Sequence, residues 1–372
     1  MKLPTAERLR EAFDRPGAET VGIEEELMVL DPETLDLAPR AHELLASLGG
    51  DARFKPELVA AQVEQVTIPV DTVARAAAQL EEGRRALAGA AGGKLLLAGA
   101  GAHPFAAQAG TLNADEPYRH TREEYGSVAR RQLVFGLHVH VRVRGAERAV
   151  AVYNGMRSHL PELAALAANA PFYAGCDSGL ASVRPKLSEL LPRQGVPPVL
   201  ADLEELADAL AWGARAQGYA APRTWWWELR LHPYLGTVEV RVPDQQSTVA
   251  ETAAVAAFAQ ALVARLAARH EEGRRAPVHS TWRIEQNRWS ACRHGLEGTL
   301  ADLETGEPRP ARERVRELLT ELEPTAAGLG CSAELAAAGR LAERSGAERQ
   351  REAARDGGVK AVARWLAGRF GA

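Results

Sequence analysis

Val21-Gly22-Ile23-Glu24-Glu25-Glu26-Leu27-Met28-Val29-Leu30 sets three consecutive carboxylates inside a run that is otherwise apolar and β-prone. Strand side chains alternate faces, so Glu24 and Glu26 share one side and Glu25 takes the other. Carboxylates about 7 Å apart along one face repel unless a cation lies near. Two readings stand: an edge strand with its charges in water, or the wall of a charged site. The rest of the chain separates them.

Two further segments repeat the alternation. In Gly136-Leu137-His138-Val139-His140-Val141-Arg142-Val143 the even positions carry His138, His140 and Arg142, and the odd ones are apolar. In Gly236-Thr237-Val238-Glu239-Val240-Arg241-Val242-Pro243 the valines share one face and Thr237, Glu239 and Arg241 the other. Alone, each is compatible with a solvated face, and a Glu–Arg pair on a surface is worth under about 1 kcal/mol. Together they describe a sheet with one apolar face and one lined by acids, imidazoles and guanidiniums. Acids gather hard cations that retain places for phosphate oxygens, and arginines neutralise a transferring phosphoryl group. Glu57-Leu58-Val59-Ala60-Ala61-Gln62-Val63-Glu64 adds two acids of opposite strand parity, which meet on one side only if the segment bends or is partly helical.

Between these segments, the pattern predicts a short helix over 40–50, a strand within 58–70, and a helix over 71–92 capped by Asp71. A short strand follows at 94–99, with helices over 117–132, 147–168, 202–217 and 247–270. A strand pair is expected at 225–232 and 236–243, and a largely helical tail at 311–371. Regular β-α-β alternation is missing, which favours α+β with a mostly antiparallel sheet. The expectation is a single catalytic domain over 1–372, with its core at about 20–300 and a helical C-terminal segment at about 311–371.

The 372 residues are 46% apolar and 25% charged, and the net charge of −4 gives no support for a nucleic-acid or membrane-surface partner. Cys176, Cys292 and Cys331 are odd in number and lack C-x-x-C spacing, against both a disulfide framework and a thiolate zinc site. No apolar core of a signal peptide lies in residues 1–15, and no apolar run reaches the roughly 18 residues of a membrane span. A cytoplasmic protein is the expectation. Gly92-Gly93-Lys94 lacks P-loop spacing, and Gly99-Ala100-Gly101-Ala102-His103 lacks the third glycine of a dinucleotide fingerprint. In Trp225-Trp226-Trp227 alternation sends at least one ring toward the charged face.

The order of Gly22-Ile23-Glu24-Glu25-Glu26, His138-Val139-His140-Val141 and Thr237-Val238-Glu239-Val240-Arg241-Val242-Pro243 resembles the YbdK-type carboxylate–amine ligases, the type-2 glutamate–cysteine ligase family. The stretches 31–39, 129–134, 168–175 and 285–289 strengthen the resemblance, which spans roughly residues 20–300. It implies a glutamine-synthetase-like fold, a curved antiparallel sheet forming a funnel with helices on its outer side. It implies ATP- and Mg²⁺-dependent joining of a small-molecule acid to an amine through an acyl phosphate, with Mn²⁺ as an alternative ion. Carried over by position, Glu24, Glu26, Glu57, Glu64, His138 and Glu239 would hold the metal, and His140 and Arg184 would contact the nucleotide. Arg241 would stabilise the transferring phosphoryl group, assisted by Arg288. Asn169, Trp226 and Arg230 would touch substrate, and Glu25 would be structural. Arg142 stands where the family usually has glycine. A metal-dependent hydrolase and a non-catalytic nucleotide-binding regulator remain the alternatives, and a homodimer paired along an apolar sheet edge stays open.

Overall fold

The computed structural model describes residues 3–216 and 224–372. Its main sheet contains β1 (Val21–Leu30), β2 (Phe54–Pro56), β3 (Gln62–Val66), β4 (Leu96–Ala98), β5 (Leu137–Arg142), β8 (Leu229–His232) and β9 (Thr237–Val240). Two small ladders pair β6 (Phe172–Tyr173) with β7 (Cys176–Asp177) and β10 (Thr299–Ala301) with β11 (Pro308–Pro310). The main sheet runs β2-β3-β1-β5-β9-β8, with β4 also paired to β1. Every pairing is antiparallel.

Helices cover the apolar side and the flanks: α1 (Ala6–Asp14), α2 (Ala41–Ser47), α3 (Val73–Ala91), α4 (Glu116–Ala129), α5 (Ala146–Arg157), α6 (Leu160–Ala167), α7 (Arg184–Ser188), α8 (Leu203–Arg215), α9 (Val249–Glu271), α10 (Thr281–His294), α11 (Ala311–Leu329), α12 (Ser332–Glu343), α13 (Gly346–Ala354) and α14 (Gly358–Gly368). Ile23, Val139, Val141, Val238 and Val240 come from alternating strand positions, and they join Val255, Phe258 and Leu262 of α9 in the largest core cluster. α9 starts with a capping box, Thr248 and Glu251 each bonding the other's backbone N–H. It is long and apolar enough to cross a bilayer, contrary to the sequence expectation that no such run exists. Its apolar window is 83% buried inside the protein, so the sheet and neighbouring helices cover it.

Several predicted boundaries shift. α3 is capped by the Thr72 side chain, which accepts from the Arg75 N–H, rather than by Asp71. The helix expected over 147–168 breaks at Ser158-His159 into α5 and α6. The 58–70 strand shrinks to β3, and the first strand of the 225–243 pair begins at Leu229. The 202–217 helix is α8, and its predicted last residue, 217, lies outside the described residues. α1 went unpredicted; it buries only Leu9, Ala12 and Phe13, a stripe too short to stand out.

Candidate active site

Register turns the three alternating segments into one charged surface. Glu26 pairs with Glu64 across β1 and β3, and Glu24 with His138 across β1 and β5. His140 pairs with Glu239 across β5 and β9, and Glu239 with Arg230 across β9 and β8. These side chains share a face because each strand contributes every second residue. The apolar partners on the other face are buried under α9, so a slip of one residue would bury the charges instead.

A cleft of about 1520 Å³, open to solvent, lies over this face. Glu24, Glu26, Glu57, Glu64 and His138 line it beside Arg184, Trp226, Arg230 and Arg241. Ligand atoms of Glu24, His138 and Glu239 fall within 4.8 Å of one another. His138 Nδ1 is 3.2 Å from Glu24 Oε2, and its Nε2 is 3.6 Å from Glu26 Oε1. The Gly136 N–H donates to Glu26 Oε2. Glu57 reaches the same wall because the chain turns sharply between β2 and β3, which resolves its unfavourable parity.

Electrostatics splits the carboxylates into two kinds. Burial pushes Glu24 up, but the hydrogen bond with His138 and the close His140 imidazole outweigh it and hold the group well below the ordinary carboxylate range. Glu239 is fully buried, and burial there is outweighed by Arg230, His140 and Arg241, so it too stays ionised. Arg241 donates to its Oε1 and Arg230 to its Oε2. Glu57 goes the other way: burial, then Glu64 and Glu26, push it well above the normal range. Burial draws His140 down, yet Glu239 and Glu24 leave it above its usual value. Its Nδ1 meets Thr237 Oγ1 at 3.0 Å, while its buried Nε2, 3.2 Å from Glu24 Oε1, makes no aligned hydrogen bond.

Four residues with implied roles, the fully buried Glu239 first among them, lie outside the cleft lining. His140 sits beneath it, on the buried floor between Glu24 and Glu239. Asn169 is fully buried; its amide donates to the Gln245 carbonyl, and its oxygen accepts from Gln350. Arg288 grips both oxygens of Glu228, at 2.7 and 2.6 Å, from behind the cleft wall. Glu228 itself faces the cleft and was missed in the sequence, as were Gln132 and Tyr118. Glu228 closes the Trp225–Trp227 run, and its acidic character was the available signal. Of the three tryptophans, Trp226 faces the charged cleft, and Trp225 and Trp227 line an apolar cavity beyond it.

On the reverse of β1, Glu25 is fully buried and forms a two-point ion pair with Arg84, at 2.6 and 2.9 Å. Gln245 and Thr252 add hydrogen bonds to Glu25 Oε1. Arg84 also donates to the main-chain carbonyls of Gln246, Ser247 and Phe370. The middle carboxylate thus anchors the strand whose flanking carboxylates face the cleft.

The sequence profile of glutamate–cysteine ligase family 2 (GCS2) matches residues 20–364. The chain belongs to that family. Among similar family proteins is a provisionally named glutamate–cysteine ligase 2-3 of Rubrobacter xylanophilus, 40% identical over 359 residues covering 94% of this chain and 96% of that protein. A provisionally named glutamate–cysteine ligase 2-1 of Frankia casuarinae is 36% identical, with 93% of each covered. Among solved structures, a glutamate–cysteine ligase of Francisella tularensis in complex with AMP superimposes with a TM-score of 0.70 at 14% identity, covering 95% of this chain and 89% of that one. At that identity the likeness establishes the fold, an antiparallel sheet flanked by helices.

Proposed function

We propose that the cleft joins a small-molecule carboxylate to an amine at the expense of ATP, with glutamate and cysteine as the first pair to test. One observation carries the reading. Family membership is matched by an intact row of acids and imidazoles that ends in two guanidiniums around one carboxylate. The AMP bound to the Francisella tularensis ligase supports a nucleotide ligand for the same fold.

The donor set fits a hard divalent cation such as Mg²⁺: carboxylate oxygens dominate, and the buried His140 Nε2 makes no aligned hydrogen bond. Glu24, Glu26, Glu57, Glu64 and His138 would hold such cations, and Glu239 would contribute through a second lone pair of an oxygen that already accepts from Arg230 or Arg241. Bound there, Mg²⁺ would neutralise phosphate oxygens.

The acid's carboxylate oxygen attacks the γ-phosphorus of ATP, and the bond to the β–γ bridging oxygen breaks to release ADP. The amine nitrogen then attacks the acyl carbon. Its C–N bond forms as the C–O bond to phosphate breaks, and the nitrogen's proton leaves with inorganic phosphate. Glu239 balances one of the two positive charges of Arg230 and Arg241, so this pair retains a net charge of about +1 by formal count. That charge suits the growing negative charge on the transferring phosphoryl oxygens. Trp226 lines the same cleft.

Release of ADP from Mg²⁺-ATP is the test, with glutamate and a panel of amines including cysteine, each component also omitted in turn. ADP formed only with both acid and amine present supports the ligase. ATP-independent loss of a substrate amide would replace it with a hydrolase, and nucleotide binding without turnover on any pair would point to a regulator.

A further inference from the structure

We propose that the ammonium of Lys55 is a tethered counter-ion of the cleft: it holds one place at the Glu64 end of the acid row against a divalent cation and yields that place when the ion binds. The inference deepens the metal reading given above and rests on it. The contact itself rests on strand register.

Lys55 belongs to β2, which lies beside β3 at one end of the strand order, and it stands directly opposite Glu64. Glu64 in turn stands opposite Glu26 of β1. Three strands therefore set an ammonium and two carboxylates in one line across the sheet. Opposed residues on neighbouring strands place their side chains on the same face, about 5 Å apart, so Lys55 is delivered to the face that carries the acids. The register is fixed from the other face, where Phe54 packs with Leu27 and Val63 in an apolar cluster.

Lys55 Nζ donates to Glu64 Oε1 at 3.0 Å. The two partners are unequal. The Glu64 side chain is 11% exposed and lines the cleft, while the Lys55 side chain is 52% exposed and approaches from outside the lining. A pair with one such exposed member adds little to stability, and its lysine can swing into water. The neighbouring cation on this edge, Arg53, is held by Asp51 and Glu82.

The charge pattern along the row gives the contact its meaning. At the opposite end, Arg230 of β8 and Arg241 bracket Glu239. Among the described residues, the ion pairs of Glu24 and Glu26 are with His138 and His140 alone. The row thus carries fixed cations at its two ends and none on the two carboxylates between. A carboxylate oxygen that already accepts from an ammonium offers less negative charge to an incoming ion, and the ammonium repels that ion directly. A divalent ion at Glu64 must displace Lys55 or bind beside its positive charge. Either way the lysine raises the ion concentration that this end requires.

Binding of Mn²⁺ to the full chain without nucleotide tests the assignment, read from the loss of the free ion's electron paramagnetic resonance signal and accompanied by the melting temperature. Lys55→Gln removes the charge and Lys55→Arg keeps it. Coupling between half-exposed charges is modest and a divalent ion doubles it, so Lys55→Gln should tighten Mn²⁺ binding by roughly tenfold. Lys55→Arg should stay within about threefold of wild type by the same reasoning. In a Glu64→Gln background the Lys55→Gln change should shift affinity by less than about twofold, because the partner through which it acts is gone. A lysine that only props up Glu64 predicts the opposite sign, weaker ion binding once it is removed. Unchanged or weaker Mn²⁺ binding in Lys55→Gln overturns the proposal. So does an equal gain in the Glu64→Gln background, or a failure of wild type and Lys55→Gln alike to bind Mn²⁺. If Lys55→Gln tightens Mn²⁺ as expected while the wild type turns over no acid–amine pair, the ligase reading fails and the counter-ion stands.

Discussion

Glu24 and Glu25 are chemically identical neighbours that the strand sends to opposite fates. Glu24 faces the cleft and His138; Glu25 is sealed against Arg84. Removing one member of a buried ion pair leaves a stranded charge and costs about 3–5 kcal/mol. Glu25→Gln should therefore lower stability by that order, read in a denaturant titration. Glu24→Gln should have the smaller effect on stability and the larger one on ADP release at matched folded concentration. Equal losses of both quantities in the two variants would contradict the strand alternation. This much was legible from the chain, because a period of two needs no knowledge of distant partners. The partner was not: Arg84 lies 59 residues from Glu25, and nothing in the helical pattern of its segment marks it as buried. Asn169 shows the converse. The family resemblance implies a substrate contact for it, yet its burial and hydrogen bonds make it part of the frame.

At the scale of elements, one contact decides how closely two parts of the scaffold approach. Just past β4, a Cβ at Gly99 would lie 2.3 Å from the Gln246 carbonyl oxygen, a backbone atom with no side-chain freedom to retreat. Gly99→Ala should destabilise by about 1–3 kcal/mol as an overpacking substitution, and a melting temperature equal to wild type would refute the close approach. In the sequence Gly99-Ala100-Gly101 stands out only as an incomplete dinucleotide fingerprint, since close approach between backbones leaves no periodic trace. The strand segments were easier, because their valines alternate over several residues. Their ends were not: Glu57 enters the site through a bend, and residues 225–228 leave the strand before it reaches Trp226.

Over the whole molecule, the C-terminal helices are clamped by charge as well as by apolar packing. Glu251, in the first turn of α9, accepts from Arg349 of α13 and from Arg369 just beyond α14. Burial raises its carboxyl, but the two arginines outweigh it and leave the group below its ordinary value. A depressed folded-state value means that the stabilisation is complete above the unfolded carboxyl range, near pH 4.5, and drains away as pH falls through the folded-state value. Thermal unfolding followed from pH 7 down to pH 3 should show a loss of stability that Glu251→Gln flattens. A variant with the same acid slope as wild type would remove Glu251 from this account. The helical tail was foreseen from its composition, but its charge clamp joins residues about a hundred positions apart and has no local signature.

The contact between Arg84 and the Phe370 carbonyl spans 286 residues. The cation that seals the middle carboxylate of β1 therefore draws one of its acceptors from residue 370, beyond α14, so any event that frees residue 370 removes part of the brace behind the acidic row.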